Sequence, residues 1–165
     1  MIAIIASAQE PDGYLYTART QNPEHPHGWA GKKRWELVED LSHEFYNLGH
    51  LCEAAVAHYN ATGKKTLLNI AMKYADCVCR EVGNKSGQAK VVPGHQIAEM
   101  GLAKLYTATG DKKYLEQAKY FLTSVVNATR RGHAVVAACT MPMAICIRLT
   151  SMPRATSLYC SRTKP

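Results

Sequence analysis

The chain has 165 residues, 47% of them hydrophobic and 20% charged, with 7 Pro and 11 Gly; this suits one folded domain and argues against a disordered tail or a collagen-like repeat. The formal charge is +7, but all 13 acidic residues lie at or before Glu116, balanced there by 13 Lys and Arg, while the last 49 residues hold 7 basic groups and no acid. No nucleic-acid partner is expected, because neither a recognition motif nor a basic face accompanies that charge. No uncharged apolar run approaches the roughly 18 residues of a membrane span, and Met1 to Gln9 lacks the basic start of a secretory signal.

In chain order, a short apolar segment turns at Pro11-Asp12-Gly13 and leads into an irregular loop rich in Pro, His, Gly and Trp, Asn22 to Gly31. From Ser42 the pattern is helical: Phe45, Leu48, Leu51, Cys52, Ala55, Val56 and Tyr59 recur at three and four, with Ser42 as N-cap and Gly63 as stop. A second helix is predicted from about Thr66 to Val82, with Leu67, Ile70, Ala71, Tyr74, Cys77 and Val78 on one face and Gly83 closing it. After a loop from Asn84 to Gly94 the design recurs. Ile97, Met100, Leu102, Leu105 and Tyr106 mark a third helix, and Tyr114, Leu115, Ala118, Phe121 and Leu122 a fourth.

The recurrence is also literal. The stretch from Tyr59 to Leu68 aligns with the stretch from Tyr106 to Leu115 at an offset of 47, and each unit carries a Gly-His pair, Gly49-His50 and Gly94-His95. This is an internal repeat of helical hairpins, and its period is too long for tetratricopeptide units. Such hairpins bury their faces only in a solenoid or a closed ring, so the expected fold class is all-α, with the Gly-His starts favouring a toroid.

His50 and His95 are the sharpest candidates for a site. Each follows a Gly at an expected helix start, and a neutral imidazole offers one donor and one acceptor to sugar hydroxyls or a carboxylate; the competing reading is that each satisfies a helix end. Glu53 and Glu99 are candidates for an acid and a base, though most such glutamates are solvated helix residues. His43 and Glu44 read equally as first-turn residues. Tyr14, Tyr16, Trp29 and Trp35 would make faces for a sugar ring, or would plug one end of the fold. The six cysteines read as a reduced set, and Cys77-Val78-Cys79 lacks the spacing of a metal knuckle, so no metal site is expected within this chain.

At Asp12-Gly13-Tyr14-Leu15-Tyr16-Thr17, Asn22-Pro23-Glu24-His25-Pro26-His27, Ser42-His43-Glu44-Phe45-Tyr46-Asn47-Leu48-Gly49-His50 and Val92-Pro93-Gly94-His95-Gln96-Ile97-Ala98-Glu99, the chain resembles glycoside hydrolase family 127, the β-L-arabinofuranosidase-like enzymes. The resemblance covers about residues 1 to 122. It implies that the hairpins form part of an (α/α)6 toroid and that the whole enzyme removes terminal β-L-arabinofuranose from plant-derived glycans with retention. It also implies a zinc-held Cys nucleophile working with a Glu acid/base. His50 and His95 match family positions that hydrogen-bond the arabinofuranose, and His43, Glu44, Gln96 and Tyr14 are further candidates for that subsite. The family's catalytic Glu and zinc-binding Cys cluster have no counterpart here. No catalytic residue, metal ligand or cofactor is assigned to this chain, and alone it is expected to be inactive.

From residue 123 to 165 the acids vanish and the helical period fades, so these residues are read as an atypical basic tail, with a frameshift near the boundary as its explanation. On that reading the chain is part of a larger hydrolase, and a ring interrupted after two hairpins would leave apolar faces open. The alternative is a non-catalytic helical-repeat module that binds a protein or acidic partner through the tail.

Overall fold

The computed structural model describes residues 1–130. Cys139, Cys146, Cys160 and most of the basic tail lie outside the described residues, and with them the expectations placed on that tail. The elements are α1 (Ile2–Ser7), α2 (Thr17–Thr20), a 3₁₀ turn (Gly28–Ala30), α3 (Glu44–Thr62), α4 (Thr66–Glu81), α5 (Ala98–Thr109) and α6 (Lys112–Arg130). No strand forms among the described residues; Val82 and Ala89 make one isolated bridge. The expected all-α class holds.

The two hairpins are α3–α4 and α5–α6. α3 and α5 pack on each other most extensively, and each is backed by its own hairpin partner, while α4 and α6 scarcely meet. The central pair therefore comes from the two first helices of the repeat. Their close approach depends on glycine: a Cβ on Gly49 would lie 2.5 Å from the Ile97 carbonyl oxygen, and one on Gly101 would lie 2.6 Å from the Gly49 oxygen. Around this crossing Phe45, Leu48, Cys52, Leu102 and Leu105 are buried, and each large aliphatic or aromatic side chain there contributes about 1.5–3 kcal/mol through burial.

The literal repeat has a shared geometry. Gly63 and Gly110 end α3 and α5 in the left-handed conformation, at φ 69° and 75°, and each donates its N–H to the carbonyl of the tyrosine four residues back, Tyr59 and Tyr106, at 2.7 Å in both. This is the helix stop that glycine supplies without steric cost. Thr62 and Thr109 also match, each hydroxyl donating to the carbonyl four residues back and accepting the amide two residues on.

Three boundaries differ from the sequence reading. Ser42 is not the N-cap of α3: its hydroxyl donates to Glu44 Oε2 at 2.6 Å, and His43 occupies the capping position. Gly49-His50 lies well inside α3 rather than at its start, because the helix begins at Glu44, whereas Gly94-His95 precedes α5. α6 runs past residue 122 to Arg130, the last described residue, since nothing in Thr123 to Arg130 breaks a helix: the loss of acids does not stop it at residue 122.

Candidate functional site

The loop before α5 is docked on the segment that leads into α3. Gly94 donates its N–H to the Val38 carbonyl at 3.0 Å, Val92 donates to Glu39 Oε1 at 3.1 Å, and a Cβ on Gly94 would meet the Glu39 carbonyl oxygen at 2.6 Å. The His43 amide donates to the Tyr16 hydroxyl at 3.3 Å. These contacts bring His95 to the same end of the molecule as the first turns of α3. There His43 and His95 lie 5.3 Å apart between ring centroids, and Tyr46 stands 4.5 Å from His50, 5.3 Å from His95 and 5.5 Å from His43. His50 and His95 are exposed and His43 half-buried. Two imidazoles, one carried by α3 and one by the loop before α5, thus share one open rim. Tyr46 was not among the residues singled out from sequence, although its place three residues after His43 and four before His50 puts it on their helix face.

Beneath this rim lies a buried carboxylate. Glu44 is fully buried in the first turn of α3 and accepts hydrogen bonds from the Tyr14 hydroxyl at 2.5 Å, the Ser42 hydroxyl at 2.6 Å and the Trp35 amide at 3.3 Å. Tyr74 donates to the Glu44 backbone carbonyl at 3.0 Å. Burial, and then the neighbouring Glu44 carboxylate, pushes the Tyr14 phenol well above its ordinary range, so it remains a donor. Tyr14 and Glu44, both sequence candidates for the sugar subsite, are fully buried, and the Tyr14 ring and the fully partnered Glu44 carboxylate hold the start of α3 in place. Of the four aromatic candidates, Tyr14, Tyr16 and Trp35 plug the fold and Trp29 alone is exposed. Trp35 takes φ 65° and is secured there by its amide bond to Glu44, its indole bond to Glu81 at 2.9 Å and stacking on Phe45 at 5.2 Å.

The two glutamates proposed from sequence as an acid–base pair have different fates. Glu53 pairs with Lys104 across the α3–α5 contact. Glu99, in the first turn of α5, is 1% exposed, and neither carboxylate oxygen has a partner among the described residues. Burial pushes its carboxyl up to about 7. Contrary to the expectation of a solvated helix residue, Glu99 is buried. Gln96, next to His95 and half-buried, has a buried side-chain nitrogen that also lacks a partner.

Among the described residues, one group could bring three metal-ligand types together: Asp12, Cys77 and Glu81. Arg34 lies between them, 2.5 Å from Asp12 and 3.2 Å from Glu81, and Arg80 lies 3.3 Å from Glu81. Burial, together with the adjacent Glu81, pushes the Cys77 thiol up to about 12, so it is not a thiolate. One Cys and two carboxylates do not fit the zinc-binding Cys cluster that the resemblance implies, and two guanidiniums already supply the positive charge.

Comparison with known proteins agrees with this architecture. Residues 1–160 match the family model described as "Beta-L-arabinofuranosidase, GH127 catalytic domain". A non-reducing end β-L-arabinofuranosidase from Bifidobacterium longum subsp. longum is 40% identical over 121 residues, 73% of this chain and 18% of that protein. A solved GH127 β-arabinofuranosidase superposes with TM-score 0.72 at 74% identity, over 73% of this chain and 19% of its own. A crystal structure of a GH127 β-L-arabinofuranosidase from Geobacillus stearothermophilus T6 gives TM-score 0.67 at 40% identity, over 79% and 21%. The chain therefore spans about a fifth of the length of each of these relatives. The likeness supports reading its two hairpins as part of an α/α toroid. No helix among the described residues is long and apolar enough to cross a membrane. A repeat of capped hairpins, a glycine-mediated crossing and an imidazole rim built on it converge with these matches: the chain belongs to the GH127 β-L-arabinofuranosidase catalytic-domain family.

Proposed function

We propose that this chain contributes part of the sugar-binding rim of a glycoside hydrolase acting on glycans that end in β-L-arabinofuranose. His50 and His95 are the substrate-binding residues, with His43 and Gln96 beside them. The observation that carries this reading is the convergence on Tyr46 of His50, from α3, and His95, from the loop before α5. Exposed imidazoles offer donors and acceptors to sugar hydroxyls, and the aromatic ring between them suits the apolar side of a sugar.

Hydrolysis of a glycosidic bond needs an acid/base and a nucleophile or activated water flanking the bond. Among the described residues Glu44 is fully partnered and Glu99 is buried, so neither is offered for that role. The reading therefore assigns binding to this chain and no cleavage. The test is titration of the chain with methyl β-L-arabinofuranoside, followed by amide and imidazole resonances at low and high salt. Expected are saturable shifts at His50 and His95 that are lost in His50→Ala and His95→Ala and change little with salt, since neutral hydrogen bonds are not screened. Release of free arabinose by the chain, or shifts that survive both substitutions, would overturn the reading.

A further inference from the structure

We infer that Tyr46 is the positioning residue of this rim: its ring fixes the orientation of the His50 and His95 imidazoles. The inference deepens the sugar-binding reading and rests on it for its consequence, but not for its geometry. Tyr46 touches all three imidazoles, edge to face with His50 at 69°, with His95 at 72° and with His43 at 89°. Among the described residues the one imidazole nitrogen that enters a hydrogen bond is Nδ1 of His27, on a different loop. The rings of His43, His50 and His95 are thus aimed by contact rather than by hydrogen bonding.

Tyr46 is 38% exposed and four residues before His50 on α3, so a rigid helix carries it, whereas His95 stands on a loop. An imidazole on a loop has several rotamers open to it. An aromatic ring held on the facing helix removes some of them through edge-to-face attraction, and this ordering need not then be lost when a ligand binds. Among the described residues the His50 and His95 ring nitrogens have no hydrogen-bond partner, while the contacts with Tyr46 restrict their planes. It meets the demand of a site that must present donors and acceptors at fixed spacing.

The test uses the full chain with Tyr46→Leu and Tyr46→Phe. In the wild type, nuclear Overhauser contacts are expected from the Tyr46 ring to the His50 and His95 rings, and their absence overturns the inference without any variant. Tyr46→Leu should shift the imidazole carbon-bound protons of both histidines toward values of isolated rings and weaken methyl β-L-arabinofuranoside binding about tenfold, the scale of one or two lost aromatic pairs. Tyr46→Phe should restore both. If the Leu variant keeps its helical circular dichroism and its imidazole shifts, Tyr46 positions nothing. If Phe binds as poorly as Leu, the hydroxyl contacts the sugar directly and the positioning role fails. Wild-type affinity in His50→Ala and His95→Ala would instead refute the sugar reading, while the ring contacts and shifts in the Tyr46 variants still decide what Tyr46 does.

Discussion

Glu44 and Glu99 stand in the first turns of the two central helices, and both are fully buried. Glu44 has three donors from the segment that precedes its helix, whereas Glu99 has none among the described residues. The same residue type at nearly the same helical position is thus a structural keystone in one hairpin and an uncompensated group in the other. Helix position alone gives both the favourable field of an N-terminus. What separates them is whether another part of the chain delivers hydrogen-bond donors, and the first forty residues do that for α3 only.

Breaking the satisfied member should have the largest effect. Glu44→Ala leaves the Tyr14 and Ser42 hydroxyls and the Trp35 amide without their acceptor, at a cost of about 4 kcal/mol. Urea unfolding checks this, and a loss no greater than that of Tyr14→Phe would show that Glu44 is not the centre of the network. The unsatisfied member should behave in the opposite sense. Its carboxyl is raised from 4.5 to about 7 by burial, so between those values the unfolded chain releases a proton that the folded chain keeps, and stability falls as pH rises. The loss amounts to about 3 kcal/mol across that window and is complete above it. Glu99→Gln should flatten the profile, gaining on the wild type at about pH 8 and matching it at about pH 4; parallel profiles for the two proteins would contradict this origin.

The smallest effects sharpen the comparison at the other end of the hairpins. Gly63 and Gly110 have open space where a Cβ would go, so an Ala at either meets only the left-handed backbone and should cost about 1 kcal/mol. Gly101→Ala drives a Cβ against the Gly49 carbonyl and should cost about 2 kcal/mol. Equal thermal shifts at Gly63 and Gly110 support equivalent stops, and a Gly101 variant no worse than these would mean that α3 and α5 can separate freely.

The hairpin repeat was legible because both of its signals are local. Apolar residues at three and four, and Gly after Tyr-x-Ala-Thr, act within one or two turns of the chain. The starts of the helices were less legible: Ser42 looks like a cap until Glu44, two residues on, takes its hydroxyl. For Tyr14 and Glu44 the sequence shows their chemistry and not their depth. The burial of Glu99 is not legible in the sequence, because its neighbours on α5 disclose nothing about the surface packed over it. Tyr46 carried a usable signal, its spacing from His43 and His50.

The sequence by itself determined the all-α class, the two hairpins, their glycine stops and the family resemblance at the His43-Glu44 and Gly94-His95 motifs, since these depend on backbone preferences and on residue order. Only the tertiary structure decided that His50 and His95 meet around one tyrosine, that Arg34 pairs with the carboxylates of the Asp12, Cys77 and Glu81 group, and that, among the described residues, one first-turn glutamate has hydrogen-bond partners and the other has none. Those outcomes depend on contacts between residues 22 to 49 positions apart. At such separations, burial and hydrogen bonding follow from how whole helices pack, and no local pattern records them.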